Sequence, residues 1–144
     1  MGAIAVVEEL LRRVMQRDVE HAVALFEHDV LIDRPAHLAH LISTPANLCA
    51  WLADLVADGS PLATKIVGEQ AHAALVLHLL RELSIDDSEQ VVATLLVDTA
   101  GPRITRAHLL DNQRGRARLS QAVADLAENA ILSRYLSNHR RYID

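Results

Sequence analysis

The sequence predicts one α+β domain with helices packed on one face of an antiparallel sheet. Three observations carry this. Apolar residues at helical spacing dominate the chain up to Val56, four turn-bounded β-type segments follow, and a last helical stretch comes after Asp111. At 144 residues, the chain is long enough for one core without metal or disulfide staples.

Ile4, Val7, Leu10, Leu11 and Val14 recur at helical spacing, with Arg12, Arg13 and Gln16 on the other face. The chain breaks at Arg17-Asp18, where Asp18 suits an N-cap. Val19, Ala22, Val23 and Phe26 then restart the apolar stripe. Val30-Leu31-Ile32, closed by Pro35, reads as a strand. Thr44 before Pro45 starts a helix through Leu48, Trp51, Leu52, Leu55 and Val56, which stops near residues 58–61. Residues 64–71, 74–83, 91–97 and 103–110 read as four strands, with hairpin turns at 85–88 and 99–102. Periodicity alone also allows a buried helix over 74–83; its turn-bounded length favours a strand. Leu119, Val123, Leu126, Ala130 and Ile131 mark a final helix, expected to be amphipathic and docked. Residues 1–144 thus form a single domain, with 113–144 as a C-terminal helical extension.

Composition excludes several function classes. A hydrophobic fraction of 51% and a charged fraction of 23% rule out extensive disorder. A net charge of -5 argues against a nucleic-acid partner, and 3% aromatic residues leave few platforms for stacked bases. The longest apolar run, near residues 73–80, is interrupted by His78 and is too short for a membrane span. Cys49 is the only cysteine, and no basic, apolar leader precedes Glu8. A cytoplasmic protein is expected.

The run from Arg17 to Val30, leading into Asp33-Arg34-Pro35, resembles the opening of the nuclear-transport-factor-2-like superfamily. Thr99-Ala100-Gly101-Pro102-Arg103-Ile104 resembles the turn before the last strand of those proteins, and Leu109-Leu110-Asp111 resembles its close. The resemblance covers residues 4–112. It implies a cone-shaped curved sheet wrapped around N-terminal helices, with an apolar pocket inside. Members include SnoaL-like polyketide cyclases, ketosteroid isomerases, limonene-epoxide hydrolases and non-catalytic association domains, so the residues must decide the function.

The ketosteroid isomerase set is absent: Arg34 stands where those enzymes place the base, and the acid, Asp33, lies one residue earlier. The epoxide-hydrolase triad is also absent, with His78, Val76 and His108 at its positions. Two histidines where relatives carry pocket acids point to proton transfer. His78, His108 and Asp33 are therefore the candidate catalytic residues, and Arg106, Val76, Leu110 and Trp51 the candidate ligand contacts. His78 and His108 are expected to face one cavity from neighbouring strands. The bland alternatives are a core histidine at 78, a solvated Arg106 and an exposed strand-end Asp33.

Asp33, His37 and His40 have loose spacing for a metal, and no metal is assigned. The scattered glycines form no phosphate-cradling loop, so no cofactor is expected. Arg114, Arg116 and Arg118 read as a solvated junction. The expected function is a SnoaL-like domain that binds a small apolar or polycyclic molecule, with cyclisation, isomerisation, dehydration or epoxide opening as reaction classes. The alternative is a non-catalytic ligand-binding or dimeric association domain. A homodimer is expected because both parities of 74–83 are apolar.

Overall fold

The computed structural model describes residues 2–57, 61–80 and 90–143, except for the side chains of 133 and 136–143. Helix α1 (Ala3–Met15) buries Val6, Val7, Leu10 and Val14. Arg17, at φ 56°, turns the chain into α2 (Val19–Val23), where the Asp18 carboxylate accepts from the His21 N–H at 3.3 Å. The predicted N-cap is thus the one used. Strand β1 (Phe26–Asp33) leads to a single 3-10 turn (Ala36–Leu38) and then to α3 (Pro45–Leu55), capped by Thr44. Strands β2 (Leu62–Glu69), β3 (His72–Leu79), β4 (Val91–Ala100) and β5 (Arg103–Asp111) follow, and α4 (Gln113–Ile143) comes last. The expected turn at 85–88, the extension of the third strand to residue 83 and the break over 58–60 lie outside the described residues.

The five strands form one curved, unclosed sheet in the order β1-β5-β4-β3-β2. The sheet is mixed, which corrects the antiparallel expectation: β1 runs parallel to β5, and the other three pairings are antiparallel. The physical reason is the connection. A hairpin forces antiparallel neighbours, whereas β1 reaches β5 only after α3 and three other strands. Phe26 is likewise a strand residue, not the end of a helical stripe. It pairs with Ile104, whose N–H donates to the Leu25 carbonyl at 2.8 Å. Tertiary pairing overrides the local periodicity there.

Alternation sorts the sheet into two faces. Leu75, Leu77, Leu95, Val97, Ile104, Ala107 and Leu109 are buried and pack with Leu10, Leu48 and Leu52 of the helices. Leu96 and Leu110 lie on the opposite, outer face and stay exposed, as does Leu31 on β1. Burial in the core also pushes the Cys49 thiol up to about 12, so it stays protonated and unreactive at neutral pH.

Helix α4 corrects another expectation. Gly115 and Leu119 are buried against the domain, but Val123 and Leu126 are 46% and 50% exposed. A helix of 31 residues is about 46 Å long. Strands of 8–10 residues span only about 30 Å, so the domain cannot cover it. Among its described side chains, those of the first turns dock.

Candidate functional site

The outer face holds most of the residues singled out in the sequence, and it does not bring them to one point. Asp33 pairs in register with His108, and its Oδ2 accepts from Arg106 Nε and Nη2 at 2.9 and 2.8 Å. This contact holds the Arg106 guanidinium above its ordinary pKa. His78 is elsewhere. It lies on β3 opposite Val91, whereas His108 lies on β5 opposite Leu96, with β4 between them. That places the two imidazoles about 10 Å apart across the sheet and about 16 Å apart along it. The expectation that they face one cavity from neighbouring strands is corrected: the strands are not neighbours, and both residues share the parity that points away from the helices. Val76 and Leu110 share that face. Asp33 and His37 do not converge either, because Asp33 is engaged by Arg106 and His37 by another carboxylate.

That carboxylate belongs to Asp111, and around it a different site assembles. Asp111 follows Ala107 and Leu109 on the inward parity of β5, which draws its side chain to 2% exposure. Its Oδ2 lies 2.8 Å from His37 Nε2 and 3.5 Å from Arg116 Nη1. Its Oδ1 is buried and has no hydrogen-bond partner among the described residues. The Arg116 guanidinium lies over the Trp51 ring, 5.4 Å from the centroid, a cation-π distance.

Local structure explains each placement. Pro35 and the buried Leu38 fix the 3-10 turn that carries His37. Arg34 spans the same turn, donating to the Ile32 and Ala39 carbonyls at 3.3 and 3.4 Å. Arg116 is set by the first turn of α4, which is tied to β4 in two ways. Asn112 Nδ2 donates to the Val91 carbonyl at 2.6 Å, and bare Gly115 lies against that same carbonyl.

His37, Asp111, Gln113, Arg116, Ala117 and Ser120 line a cleft of about 310 Å³. Two other clefts stand out among the described residues, both around His72 at the β2–β3 hairpin. Only the first joins a buried carboxylate to an imidazole and a guanidinium. An ionised Asp111 accepts the Nε2–H of His37, which leaves Nδ1 as the acceptor of the ring. Arg116 and the N-terminus of α4 favour negative charge nearby.

Trp51, a candidate ligand contact in the sequence, meets this cleft only through Arg116, which lies over its ring. Asp111 entered the sequence reading only as the close of a strand, His37 only as a metal candidate, and Arg116 as solvated. The available signal was an acid on the inward parity of an apolar strand, immediately before a helix.

No protein-family model matches the sequence, and no curated relative does. Solved structures do. An NTF2-like protein of unknown function from Cytophaga hutchinsonii is 11% identical, with a TM-score of 0.52 over 80% of this chain and 95% of that one. Another from Burkholderia pseudomallei is 13% identical, with a TM-score of 0.52 over 80% and 94%. The fold is NTF2-like. TerC, crystallised with polyporic acid, is similar to the same extent, at 15% identity and a TM-score of 0.52 over 81% and 95%. At these identities the likeness establishes the NTF2-like fold alone. No helix among the described residues is long and apolar enough to cross a membrane.

Proposed function

We propose that the protein binds a small molecule in the cleft between the 3-10 turn, β5 and α4, and that His37 takes a proton from it. The carrying observation is the burial of Asp111 to 2% exposure with His37 Nε2 at 2.8 Å. A carboxylate so placed orients the imidazole and stabilises the imidazolium that forms when Nδ1 gains a proton. Arg116 then meets the negative charge left on the ligand. This keeps the proton-transfer class read from the sequence and moves it from His78 and His108 to His37 and Asp111.

Polyporic acid, the compound crystallised with TerC, is the first probe. Thermal unfolding is followed with and without it. A ligand at a hundred times its Kd stabilises by about 2.7 kcal/mol, a shift of several degrees. The shift should shrink strongly in His37→Gln and Arg116→Gln. A shift of the same size in both variants removes the reading.

A second reading, association of two copies through the outer sheet face, is favoured by the exposure of Leu31, Leu96 and Leu110. Light scattering at micromolar concentration decides it. A dimer that dissociates in Leu96→Lys supports it, and a wild-type monomer removes it.

A further inference from the structure

We infer that the ligand of this cleft presents an acidic hydroxyl, a phenol or an enol, and not a preformed carboxylate. The inference rests on the reading of the cleft as a small-molecule site and specifies the chemistry of that molecule. It follows from the polarity of the hydrogen-bonding groups left open. Nε2 of His37 lies 2.8 Å from Asp111 Oδ2; against a carboxylate it must donate, and in the neutral ring Nδ1 is then the acceptor. Asp111 Oδ1 is enclosed and turned away from solvent, so the acceptor open to a ligand is that ring nitrogen. An acceptor left open beside one cleft calls for a donor, because a polar group without a partner is unfavourable there.

A carboxylate is already ionised when it arrives and brings no proton for His37 Nδ1. An ammonium supplies the donor but meets the Arg116 guanidinium, which is 40% exposed at the cleft. An unactivated alcohol holds its proton too tightly for an imidazole to take it. An acidic hydroxyl suits His37 Nδ1 and Arg116 together. Its O–H bond breaks, the proton forms a new N–H bond at His37 Nδ1, and the electron pair stays on oxygen. The imidazolium is held by Asp111, and the oxyanion faces Arg116 and the first turn of α4. Charge is conserved and no further reactant is needed.

The test uses para-nitrophenol, whose phenolate absorbs in the visible, with para-nitroanisole and benzoate as controls. The full chain is titrated below the pKa of the phenol. Amide shifts at Gln113 and Ser120 show whether each probe enters the cleft. The expected result is a phenolate band that grows with added protein, binding roughly tenfold tighter than benzoate, and no binding of the anisole. His37→Gln should abolish the band; since the imidazole is 44% exposed, that variant is expected to fold normally. Benzoate binding as tightly as the phenol, with no phenolate band, overturns the hydroxyl class and leaves the site standing. If no probe moves Gln113 or Ser120, the site itself falls.

Discussion

Asp111→Ala is expected to lose ligand binding and to lower stability by about 1.5–3 kcal/mol, the usual size of hydrogen bonds to a charged group. The carboxylate is the shared partner of His37 and Arg116, at 2.8 and 3.5 Å, so one deletion frees both. Both partners are partly exposed and regain water, which places the loss toward the lower end. Urea unfolding measures it. Asp111→Asn separates the two effects: it fills the same volume but no longer stabilises an imidazolium. Its stability should lie closer to wild type while binding is still lost. An Asp111→Ala variant with unchanged midpoint and binding would show that the carboxylate organises nothing.

Gly115→Ala should destabilise the protein by about 2 kcal/mol, although alanine is the better helix former by up to about 1 kcal/mol. The sign is set by space. A Cβ on Gly115 would lie 1.8 Å from the Val91 carbonyl oxygen and 2.6 Å from its carbon, and a backbone in a sheet cannot yield that far. The first turn of α4 must therefore lift, taking Arg116 off Trp51. For a chain of this size the loss corresponds to a fall in Tm of roughly 5–10 °C. Differential scanning calorimetry checks it, and a Tm at or above wild type would mean that α4 does not dock as described.

Much of the fold was legible because local and tertiary signals agreed. Asp18, Thr44 and Pro45 mark helix starts and are used as such. The four later strands came out in order, with boundaries shifted by a few residues. The parallel β1–β5 pair was not legible, since nothing in Phe26–Asp33 states which distant strand it will meet. The site was hidden for a related reason. His37 and Asp111 are 74 residues apart in sequence and meet only once the sheet has formed. His78 and His108 stand where relatives carry pocket acids, yet alternation sends both outward. Arg116 looked solvated because neither Trp51 nor Asp111 is its sequence neighbour in the same element.

The most direct test of the central claim is a map of amide chemical shifts during titration with polyporic acid. The account predicts saturable shifts at His37, Gln113, Arg116 and Ser120, with residues of the outer face unmoved. Shifts confined to His78, His108 and Leu96, with His37 and Ser120 still, would contradict it.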